Sequence, residues 1–370
     1  MVPFRLVPRI ALHSSFAEFI KEFQLNGEDL IVTNEFIQTG VKPADLAARV
    51  VFQERFGTGE PSNVMMDSIF QEARRQPYKR VIAVGGGTVI DVAKLLALGG
   101  SGSTVDYFEG RIPVEKAREL IIIPTTCGTG SEVTNIAIME IKEQKTKKGL
   151  ATDAIFADYA VLIPELLASL PYQVFATSSI DALIHATESF VAPGSNQLTE
   201  LYAEKAMSMI LKGYQAIVAK GKEVRQQFMG DFLLASTYAG IAFGNTGVGA
   251  VHALSYPLGG VYHVPHGEAN QQMFTTIFRA YKEIQAQGKI EALEEILAHN
   301  LGVSVNEVWP AFDSLLEAIL PRKPLKAYGM KEEDITLFTD SVIKNQQRLL
   351  KNNYVPLSRE QMIAIYTELY

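Results

Sequence analysis

The sequence contains a single cysteine, Cys127, among 370 residues. A chain with one cysteine cannot form an intramolecular disulfide, and a chain of this length buries enough apolar surface to fold without one. Cysteine usage of this kind is typical of a reducing compartment, so we expect a cytoplasmic protein.

The sequence also has no large excess of charge of one sign and no long hydrophobic run. The 34 basic and 41 acidic side chains give a net charge of −7 and form no long block of one sign. This balance argues against binding to nucleic acid or to a membrane surface. No apolar stretch approaches the roughly 18 residues of a membrane span, and prolines interrupt the first ten residues where a signal peptide has its apolar core. The expected partner is therefore a small-molecule substrate.

Short apolar runs alternate with amphipathic segments in the first 170 residues. The runs DLIVTNE (29–35), KRVIAVGGG (79–87), LIIIPTT (120–126) and AVLIP (160–164) are rich in β-branched residues and bounded by Gly, Pro or Thr. Such runs are typical of buried parallel strands. The segments between them, FAEFIKEF and VIDVAKLLAL, have helical spacing, so the pattern predicts an α/β domain with a doubly wound sheet.

The second half of the chain has a different pattern. Segments such as SIDALIHATESFV, IEALEEILAHNL and REQMIAIYTELY carry apolar residues at helical spacing. We therefore predict an α/β domain over residues 1–172 and an all-α domain over residues 173–370.

Two loops follow predicted strands and carry groups suited to a nucleotide. Gly85, Gly86, Gly87 and Thr88 lie between a strand and a helix, where free N–H groups face any bound anion. This is not the G-x-G-x-x-G fingerprint, and a tight turn without a ligand stays an alternative. The second loop, PTTCGTGSEVTN (124–135), is dense in hydroxyls that bind either a ligand or the loop itself. Because ligands in open α/β sheets bind at the carboxyl ends of strands, two such loops favour a nucleotide site.

The histidines are few and concentrated. Four of the six lie between His185 and His266. Asp181 and His185 are four residues apart, so on a helix they share one face and can reach one divalent ion. The glycines and prolines around His252, His263 and His266 predict turns that aim these imidazoles at a common point. A structural Asp–His hydrogen bond is the alternative.

Taken together and in this order, these motifs resemble the iron-containing alcohol dehydrogenase family, over essentially the full length of the chain. The resemblance implies a Rossmann-like dinucleotide-binding domain followed by an all-α metal-binding domain, the architecture of dehydroquinate synthase. It implies a divalent metal, Fe²⁺ or Zn²⁺, bound by Asp181, His185, His252 and His266. It also implies a homo-oligomer, a dimer or larger.

The same resemblance implies NAD as cofactor. The implied binding residues are Asn34, Gly85, Gly86, Gly87, Thr88, Asp91, Thr125, Thr126, Thr129, Ser131, Thr134 and Lys148. Many members of the family have Asp at the position of Asn34, where it opposes a 2′-phosphate. The nearby Glu35 adds a negative charge, and we therefore expect NAD rather than NADP.

The closest resemblance within the family is to members that interconvert 4-hydroxybutyrate and succinate semialdehyde. Many members carry a further histidine where this chain has Tyr256, so the candidates for the catalytic proton carrier are Tyr256, His263 and water bound to the metal. A substrate contact or a supporting hydrogen-bonding role is the alternative for His263. A dehydrogenase of neutral alcohols or diols, a dehydroquinate synthase-like lyase and a non-catalytic metal or nucleotide binder remain as alternatives.

Overall fold

The computed structural model describes residues 4–35, 46–59, 61–144 and 146–370. Within these residues the chain divides into two compact units. The first is Leu6–Leu170, and the second is Pro171–Tyr370 together with the N-terminal Phe4 and Arg5.

The first unit contains a six-stranded, all-parallel sheet. Its strands are β1 (Arg9–Leu12), β2 (Asp29–Thr33), β3 (Arg49–Phe52), β4 (Arg80–Gly85), β5 (Glu119–Pro124) and β8 (Tyr159–Leu162). Their spatial order is β1-β8-β5-β4-β2-β3. Strand β4 is therefore paired with β2 on one side and with β5 on the other.

Both faces of this sheet are buried, which explains why its central strands have continuous apolar sequences. Leu30, Val81 and Leu120 lie in a core shared with the helices α2 (Asn63–Ala73), α3 (Gly87–Leu96) and α4 (Thr104–Phe108). On the opposite face, Ile82 and Ile121 pack with residues of α1 (Phe16–Phe23). Parallel strands covered on both faces do not alternate between apolar and polar residues.

An antiparallel hairpin, β6 (Ile136–Ile141) and β7 (Thr146–Ala151), extends from the loop after β5. Alternate residues of β6 are buried, and Ala137, Met139 and Ile141 join the core beside α3. The hairpin thereby connects the hydroxyl-rich loop to the helix that follows the glycine turn.

The second unit is helical throughout its regular structure. Its helices are α5 (Tyr172–Val191), α6 (Gln197–Lys220), α7 (Met229–Thr246), α8 (Ala250–Tyr262), α9 (His266–Ile284), α10 (Lys289–Leu301), α11 (Val308–Ile319), α12 (Glu332–Asn345), α13 (Gln347–Leu350) and α14 (Arg359–Leu369). Helix α5 packs against α6, α7 and α9, and α8 packs against α9. None of the helices in the described part of the chain combines the length and the hydropathy that a membrane-spanning segment requires.

The predicted fold class is confirmed: a parallel-sheet unit is followed by a helical unit. All four predicted strands are present. Strands β1 and β3 and the β6–β7 hairpin were not predicted from the sequence.

Candidate metal centre and nucleotide site

Helix α5 carries the first two predicted metal ligands into the interior of the helical unit. Asp181 and His185 are one turn apart and are only 4 % and 5 % exposed. From Ser179 to Val191 every residue of this helix is buried. Polar side chains this deep require partners, because an unpaired buried charge is costly.

The segment that contains the other histidines differs from the predicted series of turns. Residues Ala250–Tyr262 form one helix, α8, even though Pro257 lies inside it. A proline removes one backbone donor and kinks a helix, but packing against α9, α12 and α13 maintains this one. The prediction that glycine and proline break this segment into turns is therefore wrong. The turn lies later, between Tyr262 and His266, where α9 begins.

The structure brings three of the four predicted ligands close together. The ligand atoms of Asp181, His185 and His252 all lie within 4.8 Å of one another. The two imidazole Nε2 atoms of His185 and His252 are 3.1 Å apart. Asp181 Oδ1 lies 4.0 Å from His185 Nε2 and 3.6 Å from His252 Nε2.

His266 lies beside this group and differs in exposure. Its Nε2 atom is 3.7 Å from Asp181 Oδ1, and its side chain is 40 % exposed. The other three side chains are buried. Gly267 allows α9 to pack closely against α5, because a Cβ atom at this position would overlap the backbone carbonyl of Thr177 on α5.

Neighbouring side chains fix the orientation of this group. Glu188, two turns after Asp181, contacts His252 Nδ1 through Oε2 at 2.6 Å and accepts the backbone N–H of Val251 through Oε1 at 2.8 Å. Asn270 donates to Asp181 Oδ1 at 2.8 Å. A carboxylate on the far nitrogen of an imidazole fixes the ring and leaves its other nitrogen free to bind an ion.

The electrostatics agree with a site built for a cation. Burial raises the pKa of Asp181, but the neighbouring His185, His266 and His252 outweigh it, so this pKa is well below the usual range. Burial lowers the pKa of His252, but attraction to Glu188 and hydrogen bonds to Asp181 and Glu188 raise it to about 9. Two buried carboxylates thus favour positive charge at this point, and a metal ion would displace a proton from His252.

The distances suit a divalent metal. Tetrahedral coordination with bonds of about 2.0–2.1 Å separates the ligand atoms by about 3.4 Å. The separations between 3.1 and 4.0 Å bracket that value. One carboxylate and imidazoles are donors that zinc and ferrous iron both accept. The residues therefore fit the ion that the sequence predicted.

The two predicted proton carriers occupy different positions. Tyr256 is one turn beyond His252 on α8, half-buried, and its ring centroid lies 6.1 Å from that of His266. His263 is exposed and ends α8 with a left-handed backbone, φ 55°. A non-glycine residue in this conformation is uncommon. Tyr256 is thus beside the ligand group, whereas His263 lies on the exposed turn after α8.

In the first unit, the glycine turn and the hydroxyl-rich loop are neighbours. Helix α3 begins at Gly87, and its N-cap residue, Gly86, has no side chain to accept the free N–H groups of the first turn. Cβ atoms built at Gly86 and Gly87 would lie 3.3 Å from Thr126 Cγ2 and 3.2 Å from Thr129 Cγ2. The absence of side chains at these glycines therefore lets the two loops approach. Both threonines are partly exposed beside the uncapped N–H groups.

Lys94 is a residue of this site that the sequence analysis missed. It is fully buried on α3, and its Nζ contacts Ser131 Oγ at 2.7 Å, Thr134 Oγ1 at 3.2 Å and the carbonyl of Ile136 at 2.6 Å. Burial lowers its pKa to about 8 despite the attraction of Asp91. The hydroxyls of Ser131 and Thr134, two of the predicted cofactor contacts, are therefore directed into the unit.

Asp91 shares this internal network. Its carboxylate accepts the hydroxyl of Ser131 at 3.2 Å and the backbone N–H of Ile138 at 3.0 Å. Burial raises its pKa to about 6, against the attraction of Lys94. Asp91 and Lys94 thus join the helix of the glycine turn to the second loop and to β6.

The remaining predicted nucleotide residues lie around these two loops. Thr125 follows β5 and is buried, with its backbone N–H donating to the Gly85 carbonyl at 3.1 Å. Thr88 donates to the Gly59 carbonyl at 3.1 Å. Lys148, on β7, contacts Glu109 at 3.2 Å.

Asn34 lies directly after β2, the strand that pairs with β4. It is 8 % exposed, and its amide donates to Gln53 Oε1 at 3.1 Å. Thr33 Oγ1 donates to the Val84 carbonyl at 2.8 Å. The carboxyl end of β2 is thereby held beside the start of the glycine turn.

Comparison with known proteins matches both units to one family. Residues 10–164 match the profile of iron-containing alcohol dehydrogenases, and residues 175–370 match the C-terminal part of the Fe-containing alcohol dehydrogenase family.

Relatives with curated names cover most of the chain. It is 51 % identical over 367 residues to the 4-hydroxybutyrate dehydrogenase of Clostridium kluyveri, covering 99 % of both chains. It is 33 % identical over 303 residues to the long-chain-alcohol dehydrogenase 1 of Geobacillus thermodenitrificans, covering 80 % of this chain and 75 % of that one. Among solved structures, sulfoacetaldehyde reductase from Bifidobacterium kashiwanohense in complex with NAD+ aligns with a TM-score of 0.87 at 25 % identity, covering 100 % of this chain and 98 % of that one.

Proposed function

Since this chain belongs to the iron-containing alcohol dehydrogenase family, we propose that it transfers a hydride between NAD(H) and a small primary alcohol or aldehyde. The proposed substrate pair is 4-hydroxybutyrate and succinate semialdehyde. The observation that carries this proposal is the 51 % identity to a 4-hydroxybutyrate dehydrogenase over 99 % of both chains.

We propose that Asp181, His185, His252 and His266 bind a divalent metal ion, Fe²⁺ or Zn²⁺. When bound, such an ion supplies Lewis-acid stabilisation of negative charge on the reacting oxygen. The three buried ligands and the ring orientation imposed by Glu188 support the assignment.

The chain's own residues have three further tasks. Glu188 holds His252 by its Nδ1 atom, and Asn270 holds Asp181 by Oδ1. Phe243 stacks on His185 with ring centroids 4.2 Å apart, which excludes water from one face of that imidazole. The hydroxyl of Tyr256 and the imidazole of His263 are the groups proposed to carry the substrate proton to solvent.

For the cofactor, we propose that the backbone of Gly85, Gly86 and Gly87 binds the pyrophosphate. Thr126 and Thr129 lie beside the uncapped start of α3 and are proposed to contact the phosphates or ribose. Ser131, Thr134 and Asp91 would act indirectly, by fixing the second loop. Thr88, Thr125, Asn34 and Lys148 complete the proposed set.

The test is NAD reduction by purified, metal-analysed protein. We expect NADH absorbance to rise when 4-hydroxybutyrate is added. The rate of NAD reduction should exceed the rate with 1-butanol at the same concentration. A preference for 1-butanol would overturn the proposed substrate but not the proposed dehydrogenase activity. No net NADH with any alcohol in metal-replete protein would overturn the dehydrogenase in favour of a lyase or a binding protein.

We further propose a cytoplasmic homo-oligomer, a dimer or larger. The single cysteine supports the compartment. The edge strand β1 supports the assembly, because Leu12 at its end is 67 % exposed and exposed strand edges are usually covered. Light scattering of the purified chain measures the assembly directly, and a monomer at micromolar concentration would contradict it.

A further inference from the structure

A buried tyrosine of helix α14 contacts the helix that carries His252. Tyr366 is fully buried, and its hydroxyl donates a hydrogen bond of 2.6 Å to the backbone carbonyl of Leu254 on α8. Leu254 lies two residues after His252 and two residues before Tyr256. The contact therefore falls between a proposed metal ligand and a proposed proton carrier, and the proposed function assigns no role to Tyr366.

The contact lies where the hydrogen bonding of α8 is interrupted. Pro257 has no N–H group, so it cannot donate to the carbonyl of Ala253, four residues earlier. The proline ring also crowds that carbonyl, and helices usually kink at such a turn. Leu254, whose carbonyl accepts the hydroxyl of Tyr366, is the next residue. Helix α14 therefore supplies a hydrogen bond to the same turn in which the proline removes one.

The hydroxyl of Tyr366 is a donor over the whole range of pH in which the protein is folded. Burial raises its pKa well above the usual range, so the hydroxyl keeps its proton. A buried hydroxyl without a partner is costly, and the carbonyl of Leu254 is the partner that it has. This hydrogen bond therefore fixes the position of α14 relative to this turn of α8.

A second contact holds the far end of α8. Tyr262, the last residue of the helix, donates through its hydroxyl to Asp334 on α12. The ring centroid of Phe338 on α12 lies 6.1 Å from that of Tyr262 and 6.2 Å from that of Tyr366. Helix α12 packs against both α8 and α14. The same group of packed rings therefore holds α8 at its end and beside His252.

The position of α8 determines where the imidazole of His252 lies. Glu188 holds the first turn of the helix through the N–H of Val251, and Tyr366 holds the turn that follows His252. His252 lies between these two contacts. Because metal–ligand distances tolerate deviations of only about 0.2 Å, a small displacement of this turn is expected to change the metal affinity.

We propose that Tyr366 is a positioning residue of the metal centre, whose hydroxyl keeps His252 in place by supporting the proline-interrupted turn of α8. The inference rests on the proposed function, since it assumes that His252 binds the metal ion. It goes further by assigning a role in metal binding to helix α14, which carries none of the proposed ligands.

The experiment measures the binding of Co²⁺ to the full chain by competition with a chelator, together with the visible absorption spectrum of the Co²⁺ protein. Co²⁺ accepts the same donors as Zn²⁺ and Fe²⁺, and its spectrum reports the coordination geometry. Tyr366→Phe removes the hydroxyl and keeps the ring. We expect this variant to raise the Kd for Co²⁺ about ten-fold and to shift the absorption bands. The metal-free variant should keep its native circular dichroism.

The matched control is Tyr172→Phe. Tyr172 also donates through its hydroxyl to a backbone carbonyl, that of Ile319 at 3.1 Å. It begins α5, however, nine residues before Asp181. This variant loses the same kind of hydrogen bond in the same unit, and it should leave the Kd for Co²⁺ and the spectrum unchanged.

Replacement of the proline tests whether the hydroxyl acts through the interrupted turn. Pro257→Ala restores the N–H group that this turn of α8 lacks. If the hydroxyl of Tyr366 compensates for the missing donor, the two substitutions should be coupled. Tyr366→Phe should therefore raise the Kd for Co²⁺ by a smaller factor in Pro257→Ala than in the wild-type chain.

The outcomes separate the inference from the proposed function. Absence of Co²⁺ binding by the wild-type chain, or undiminished binding by Asp181→Asn, would overturn the proposed metal centre. A wild-type Kd and spectrum in Tyr366→Phe would overturn the inference alone. So would an equal effect of Tyr172→Phe or an undiminished effect in Pro257→Ala. Loss of the native circular dichroism in metal-free Tyr366→Phe would assign Tyr366 to folding rather than to positioning.

Discussion

Replacement of Lys94 by methionine tests whether a buried cation holds the two nucleotide loops together. Methionine keeps most of the volume but removes the ammonium and its three contacts with Ser131, Thr134 and the Ile136 carbonyl. Ser131 bridges Lys94 to Asp91, and removing one of two buried opposite charges typically costs about 3–5 kcal/mol, because the other charge is left uncompensated. That loss is a large fraction of the free energy of unfolding of a typical domain, which is about 5–15 kcal/mol.

Asp91 and Glu132 are the carboxylates that attract Lys94, and the charge left on Asp91 in this variant makes the loss of stability depend on pH. Attraction to Lys94 lowers the pKa of Asp91, so without Lys94 it rises above the present value of about 6. The pKa of this carboxyl group is then higher in the folded state than in the unfolded state, where it is about 3.9. Such a group stabilises the fold fully at pH values below the unfolded-state pKa, and this stabilisation is lost as the pH rises through the folded-state pKa. The difference in the free energy of unfolding between wild type and Lys94→Met should therefore increase between pH 6 and about pH 7.5.

Urea denaturation at pH 6 and at about pH 7.5 measures this deficit. Lys116→Met is the matched control, because Lys116 pairs with Asp158 at 2.6 Å but is 27 % exposed, so its loss should cost about 1 kcal/mol or less. Adding Asp91→Asn to Lys94→Met should restore part of the stability. A Lys94→Met deficit no larger than that of Lys116→Met, or one that does not change with pH, would refute the structural role of Lys94.

Three further predictions concern the helical unit. Glu188→Gln should weaken metal binding about 10–100-fold, measured by competition with a chelator, because the imidazole loses its orienting carboxylate; unchanged affinity would contradict this role. Asp181→Asn should leave protein with far less than stoichiometric metal, and full metal content by elemental analysis would exclude it as a ligand. Gly267→Ala should lower the free energy of unfolding by about 1–3 kcal/mol through overlap with the Thr177 carbonyl, whereas the unobstructed Gly260→Ala should not destabilise, and equal effects would refute the packing argument.

The features that sequence predicted are those fixed by local spacing. Asp181 and His185 share a helix face because they are four residues apart, and that spacing needs no tertiary information. The central strands β4 and β5 are continuous apolar runs that only a doubly covered sheet accommodates.

The features that sequence missed depend on tertiary contacts. Strand β7 reads TKKGLA, which has almost no apolar residues, and it exists because it pairs with β6. Helix α8 contains Pro257 and two glycines, and packing overrides that composition. Nothing in VIDVAKLLAL distinguishes Lys94 from a solvated lysine, because its partners lie 37 to 42 residues further along the chain.

Glu188 performs two tasks that are usually separate. The N-cap residue of α8 is Gly249, which has no side chain to cap the helix. Glu188 Oε1 accepts the N–H of Val251 in the first turn instead, while Glu188 Oε2 orients His252. Helix start and imidazole orientation therefore form together when the unit folds. In small zinc domains, by contrast, the free energy of metal binding is consumed in folding the chain. Both contacts of Glu188 are made within the chain, so we expect the ion-free protein to keep its helical circular dichroism.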